Sequence, residues 1–320
     1  MRESLLTQTL IFLIGGTAMK KMLFIYNPNA GKGLLKAKLS DVLDIFVKAG
    51  YELNVYPTQS YKDAYHKVVC MDDGFDIVVC SGGDGTLDEV VTGMMKREKK
   101  QRIPIGYIPT GTTNDFASSL HISRDIMEAA DATVHGEAFA CDIGKFNKDI
   151  FVYVAAFGLF TDVPYQTDQK LKSMLGHAAY VLEGVKRLTS IPSYRIKVTN
   201  GDQVIEDEFM IGMISNSKSV AGFRNIMGKE VKFNDGEFEV TLIKKPKNLV
   251  ELNEIITSLL VESFDTKHMY TFKSGNLILE SEEEIPWTLD GEFGGQHSKV
   301  HIENKQKALK IMVQKSYDED

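Results

Sequence analysis

The hexapeptide Ser81-Gly82-Gly83-Asp84-Gly85-Thr86 is the part of this chain best equipped to do chemistry. Adjacent glycines after an apolar run let a ligand approach the backbone without meeting a Cβ. A helix beginning near Thr86 would aim free N–H groups and the positive end of its dipole at that ligand, so phosphate is the natural occupant. Asp84 is out of place beside phosphate because like charges repel, but it makes sense if it contacts Mg2+ or a reacting hydroxyl. A plain tight turn is the alternative. Two further loops share this character, Asn27-Pro28-Asn29-Ala30-Gly31-Lys32-Gly33 and Pro109-Thr110-Gly111-Thr112.

The elements that must position these loops follow from periodicity. Residues 22–26, 53–56, 75–80 and 105–108 are short apolar runs of the kind a strand buried on both faces requires. Between them, Leu35, Leu39, Val42, Leu43 and Phe46 recur at helical spacing, with Gly50 placed as a C-cap. Residues 60–71 predict a polar helix, and Leu87, Val90, Val91 and Met94 give the helix after the glycine turn a buried stripe. Further helical segments reach about Val134. Strand and helix thus alternate through a doubly wound α/β region, with ligands expected beyond the C-terminal strand ends. All three loops lie at such ends.

From Ala138 the pattern turns β-rich and sandwich-like. Strands are predicted at 140–146, 149–157, 194–199, 204–215, 238–243, 268–274 and 277–280, and helices at 168–188 and 248–261. The reading is an extension over 1–18, a nucleotide-binding α/β domain over 19–138 completed by 306–316 (the strand itself near 309–313), and a β-rich acceptor domain over 139–305, with the active site between the two. Asn234-Asp235-Gly236 and Asp290-Gly291 are hairpin-turn pairs.

Composition bounds the function. The chain has 320 residues, 43% apolar and 25% charged, which suits a large core, and its net charge of −7 disfavours nonspecific nucleic-acid binding. Cys70, Cys80 and Cys141 have no metal-ligand or disulfide spacing and read as small buried hydrophobes in a reducing cytosol. The apolar run at 9–14 is far shorter than the ~20 residues a membrane span needs. No Gly-x-Ser-x-Gly hydrolase elbow is present.

Taken in order, Tyr26-Asn27-Pro28-Asn29-Ala30-Gly31-Lys32, Ser81-Gly82-Gly83-Asp84-Gly85-Thr86-Leu87-Asp88-Glu89-Val90-Val91, Ile108-Pro109-Thr110-Gly111-Thr112-Thr113-Asn114-Asp115-Phe116-Ala117, Cys141-Asp142-Ile143-Gly144 and Trp287-Thr288-Leu289-Asp290-Gly291-Glu292 resemble the bacterial diacylglycerol kinase catalytic family. That family is related to sphingosine kinases and, more distantly, to NAD kinases and phosphofructokinases. The resemblance covers about residues 20–315. One departure is Asp88, where the family usually has Asn.

The resemblance implies ATP as donor and Mg2+ as cofactor. It places Asn27, Pro28, Asn29, Ala30, Gly31, Lys32, Thr58, Gly83, Asp84, Gly85, Thr86, Leu87, Asp88, Glu89 and Thr112 around the nucleotide. It puts Asp115 and Asp142 around catalytic Mg2+ and makes Glu292 the proton acceptor; Asp84 joins these as a catalytic candidate in the nucleotide–metal–hydroxyl cluster. It also implies a structural divalent metal at Asp235, with backbone oxygens near Lys232 and Glu237.

Blander readings stand beside these. Lys32 could be a solvated loop lysine, Asp115 a helix cap, Asp142 an ordinary edge or paired carboxylate, and the Asp235 turn metal-free. The acceptor is expected to be a lipid hydroxyl at a membrane surface, diacylglycerol first. A sphingoid base, a soluble alcohol such as NAD, and a noncatalytic sensor are the rivals. A cytoplasmic protein with peripheral membrane association is expected. The basic-flanked helix carrying Lys170, Lys172, Lys186 and Arg187 would either touch anionic lipid or pack on the second domain. A homodimer is compatible with the sequence, which leaves oligomeric state open.

Overall fold

Four short, apolar parallel strands organise the N-terminal part: β1 (Lys20–Tyr26), β2 (Tyr51–Pro57), β3 (Ile77–Gly82) and β4 (Ile105–Pro109). They pair in the order β2-β1-β3-β4. Every residue of β3 and β4 is buried, as strands covered on both faces demand. The intervening helices are α1 (Leu34–Lys48), α2 (Asp63–Val69), α3 (Asp84–Lys96), α4 (Asp115–Ser119) and α5 (Ile126–His135). α1 packs with α5, and α2 with α3. Gly50 takes φ +86, the left-handed conformation expected just past a helix end.

This computed structural model describes residues 19–158, 192–217, 219–220, 223–224, 231–260 and 267–315. The expectations for the extension at 1–18 and the helix at 168–188 lie outside the described residues. The rest comprises β5 (Glu137–Phe146), β6 (Asp149–Phe151), β7 (Val154–Gly158), β8 (Tyr194–Asn200), β9 (Gln203–Ser215), β10 (Ser219–Val220), β11 (Phe223–Arg224), β12 (Phe238–Lys244), α6 (Leu249–Leu260), β13 (Met269–Ser274), β14 (Asn276–Leu289) and β15 (Glu292–Val313). Among the described residues no helix is long and apolar enough to cross a membrane.

β15 ties the two parts together. It pairs antiparallel with β14 and β5, then meets β4 in parallel at Ile311↔Ile105. The result is a mixed α/β chain in which one large sheet runs from the parallel strands into the antiparallel ones. The β-rich part has its own apolar cluster around Trp287, whose ring lies 5.0 Å from Phe146 and 4.9 Å from Phe157.

Three differences from the expected elements have physical causes. The strand expected at 149–157 is broken into β6 and β7, because the N–H groups of Val152 and Tyr153 turn to the Asp290 carboxylate. β14 runs on to Leu289, well beyond the expected 277–280; its acidic middle, Ser281-Glu282-Glu283-Glu284, hides the strand from any test of apolar alternation. β15 spans 22 residues where only 309–313 was expected. Its first half is polar and Gly-containing, and a register shift falls between Lys305 and Leu309, with Lys307 at φ +49. Cys70 is exposed, against the expectation of burial; Cys80 and Cys141 are buried.

Candidate active site

The three loops at the C-terminal ends of β1, β3 and β4 are stitched together by backbone. Asn27 N–H donates to the Ser81 carbonyl at 2.8 Å, and Thr110 N–H donates to that of Gly82 at 2.8 Å. The packing needs glycine at two places. A Cβ on Gly31, which sits at φ +55, would lie 2.0 Å from the Thr110 carbonyl oxygen, and one on Gly111 would lie 2.6 Å from Gly83 Cα. A Cβ on Gly83 itself would meet Gly111 Cα at an ordinary 3.4 Å. Gly83→Val is therefore expected to melt within a few degrees of the parent while weakening ATP binding, and Gly31→Ala to melt several degrees lower, by about 1–3 kcal/mol. Calorimetric ATP titration beside thermal melts checks both. Unchanged ATP affinity in folded Gly83→Val would remove the glycine turn from the site.

The loops open onto a cleft of about 810 Å3. Of the residues assigned from sequence, Asn27, Asn29, Ala30, Gly31, Thr58, Gly83, Gly85, Thr86, Asp88, Glu89, Thr112 and Glu292 line it. Glu292 reaches it from the start of β15, directly after the two-residue turn formed by Asp290 (φ +50) and Gly291 (φ +88). Glu89 does a structural job as well: its carboxylate accepts the Lys62 and Ala64 N–H groups at 2.9 and 3.1 Å, at the N-terminus of α2.

Carboxylates gather beside this cleft. Burial pushes Asp84 up to about 6; the Asp115 charge pushes the same way, and the backbone N–H groups of Asp115, Asn114 and Phe116 pull it back. Its Oδ1 is buried and has no hydrogen-bond partner among the described residues. Burial also raises Asp88 well above the usual range, with Asp290, Glu89 and Glu292 adding repulsion against a 3.3 Å hydrogen bond from Thr92 Oγ1. Asp290 is pushed up to about 6 by burial, although it accepts three backbone N–H groups, from Val152, Tyr153 and Val154, at 2.5, 2.9 and 2.9 Å.

Among the described residues, Asp84, Asp88, Asp290 and Glu292 have no ion-pair partner. No set of three His, Cys, Asp or Glu side chains is arranged around a common metal position there. Mg2+, however, is ordinarily held by one or two carboxylates and substrate phosphates. The orphaned Asp84 oxygen and the uncompensated negative charge fit such an ion.

These shifts set a pH dependence. The folded-state values of Asp84 and Asp290 lie above the unfolded value of about 3.9. Glu239, pushed up to about 7 chiefly by burial, behaves likewise. Between roughly pH 4 and 7 the folded chain therefore binds more protons than the unfolded chain, and lowering the pH stabilises it. Carboxylates with depressed values, such as Glu208, Glu280 and Glu303, oppose this only below about pH 4.5. The ligand-free protein should melt higher at about pH 5.5 than at pH 7.5, as scanning calorimetry can check; the reverse order would mean the cluster is already compensated.

Other assigned residues lie elsewhere. Leu87 is a core residue, 1% exposed, so its side chain cannot touch a nucleotide. Lys32 is exposed, at φ +59, and neither it nor Pro28 lines the cleft. Asp115 is buried beside Asp84, and neither of the two is among the residues that line the cleft.

Asp142 is fully buried. Its oxygens accept Gly236 N–H and Lys307 N–H, each at 2.7 Å, so it pins the 234–236 turn to β15, and it is not among the residues that line the cleft. At that turn Asp235 accepts Glu237 N–H at 3.0 Å and pairs with Lys273 Nζ at 3.2 Å, so a lysine already supplies positive charge there. Lys232 and Glu237 flank it, away from the cleft.

Several cleft residues were not assigned from sequence. Tyr61, Lys62, Tyr65 and His66 also line the cleft, in a stretch that shows only polar helical character. Asp290 read as a turn residue. Its second role, as acceptor for a chain segment some 140 positions earlier, leaves no local signal.

With this geometry in place, the relatives can be weighed. The diacylglycerol kinase catalytic domain profile matches residues 21–146. A diacylglycerol kinase of Staphylococcus saprophyticus is 36% identical over 89% of this chain and 94% of its own length. That of Staphylococcus aureus strain JH9 is 37% identical over 87% of each. A crystal structure of a Bacillus anthracis str. Sterne protein superposes with TM-score 0.79 at 26% identity, covering 95% of this chain and 100% of that one. A diacylglycerol kinase from the same organism does so with TM-score 0.72 at 23% identity over the same shares, a likeness of fold. Since the curated relatives match at well over 30% identity along nearly their whole length, this chain belongs to the diacylglycerol kinase catalytic-domain family.

Proposed function

We propose that the chain transfers the γ-phosphoryl group of ATP to the hydroxyl of diacylglycerol, giving phosphatidic acid. The observation that carries this is the arrival of Glu292, from the start of β15, in the cleft formed by the glycine loops of β1, β3 and β4. Backbone N–H groups at the start of α3 and around Gly83 and Gly85 receive the phosphates. Glu292 accepts the proton as the acceptor oxygen bonds to the γ-phosphorus and the bond to ADP breaks. Asp84, with Asp115 beside it, would hold Mg2+, which neutralises phosphate charge when bound. Asp290 holds segment 152–154 and the turn that delivers Glu292. The N-terminal α/β part and the β-rich part act in this reading as nucleotide and acceptor domains, and the acceptor is met at a membrane surface.

Incubation with γ-labelled ATP, Mg2+ and separate acceptors (diacylglycerol, a sphingoid base, NAD) tests the assignment. Label in phosphatidic acid is the expected result. Preferential label in NAD or the sphingoid base, or none in any acceptor, would overturn it.

A further inference from the structure

Behind the catalytic cleft lies a second cavity of about 520 Å3 whose wall is strongly basic. Lys96, Lys99, Arg102, Lys145, Lys148 and Lys305 line it, and among the described residues no carboxylate does. They come from three separated segments: the end of α3 with the loop that follows, the β5–β6 hairpin, and the middle of β15. The fold gathers them, since α3 packs against both β6 and β15. Arg102 is committed to the frame, donating to the carbonyls of Met95, Arg97 and Ala308 at 3.1, 3.2 and 3.3 Å. Glu303 compensates two of the lysines, at 3.9 Å from Lys145 and 2.5 Å from Lys305. Among the described residues Lys96, Lys99 and Lys148 have no ion-pair partner. A chain with net charge −7 thus concentrates cations at one concave spot, where an anion would find complementary charge. Lys96 and Ile150 line this cavity and the catalytic cleft alike, so an occupant would sit next to the reaction.

We propose that this cavity binds a phosphate-bearing ligand adjacent to the catalytic cleft. Its size suits a small headgroup or phosphate ester, and clustered lysines recognise phosphate as point charges. Two sources share that chemistry, the headgroup of an anionic phospholipid and a soluble phosphate ester. The lipid source rests on the lipid-kinase reading; the soluble one does not.

The test uses the full chain and two double variants. Lys99→Gln with Lys148→Gln neutralises the cavity, and Lys36→Gln with Lys197→Gln removes the same charge from exposed positions elsewhere. Glycerol 3-phosphate is titrated calorimetrically. Co-sedimentation is measured with phosphatidylcholine vesicles with and without phosphatidylglycerol.

The cavity variant should lose about tenfold in affinity in one arm, about 1.4 kcal/mol, while the control loses less than about twofold. Loss in the vesicle arm identifies a lipid headgroup, and loss in the calorimetric arm a soluble ester. Equal behaviour of the two variants in both arms, or no binding of either probe by the parent, overturns the proposal. Diacylglycerol phosphorylation in uncharged detergent micelles, run alongside, keeps the two readings apart. A parent without turnover whose cavity variant still loses binding would sink the kinase reading and leave the cavity standing.

Discussion

Glu292→Gln should lower turnover by about 10²–10⁴-fold, the range for loss of a positioned general base, while ATP affinity changes little. The substitution keeps size and one accepting oxygen but removes the group that takes the acceptor proton. Glu292 lines the cleft together with the nucleotide loops, and among the described residues its carboxylate has no ion-pair partner that the substitution would break. Its neighbours sharpen the expectation. Removing one negative charge from near Asp88 relieves repulsion, so the variant should be at least as heat-stable as the parent. Steady-state kinetics with diacylglycerol, paired with ATP titration and a melt, reads all three. Normal turnover in a folded variant would mean that Glu292 does not accept the proton, and the mechanism would fail while the family assignment remained.

Asp290→Ala is the second large effect, and it acts on stability first. Its carboxylate is the acceptor for Val152, Tyr153 and Val154 N–H, all in a buried stretch of chain. Removing it strands up to three donors at about 1–3 kcal/mol each before relaxation, so a net loss of about 2–4 kcal/mol is expected. The burial that raises the carboxylate's pKa shows that its charged form is itself costly, which keeps the loss below the simple sum. Because the same residue begins the turn leading to Glu292, turnover should fall with stability. Asp290→Asn retains one accepting oxygen and should lie between parent and Ala in urea melts. Equal stability of Asp290→Ala and the parent would show that the segment between β6 and β7 is held by something else.

The sequence by itself determined the chemistry-bearing loops and the N-terminal architecture. Gly82-Gly83-Asp84-Gly85 follows an apolar run and precedes a helical stripe, and each of these features is local: a buried strand, a glycine turn, a helix N-terminus. The periodicity of α1 and α3 and the apolar strands β1, β3 and β4 could be read for the same reason, since each element buries a continuous stripe or run. Only the tertiary structure decided which carboxylates share a site. Asp84 and Asp142 look alike in sequence, yet one keeps an orphaned oxygen beside the cleft, and the other spends both oxygens on backbone donors at the 234–236 turn and on β15. β15 makes the same point. Its polar first half has no alternation to betray a strand, and its order comes from pairing with β14, from Leu289↔Glu292 to Asn276↔Glu303, while the second half pairs with β5 from Ile302↔Phe146 onward. The basic cavity exists only because that strand brings Lys305 to Lys96 and Lys148. Local physics writes turns, caps and periodicity into neighbouring residues, whereas charge compensation and strand pairing depend on partners that only the folded chain brings near.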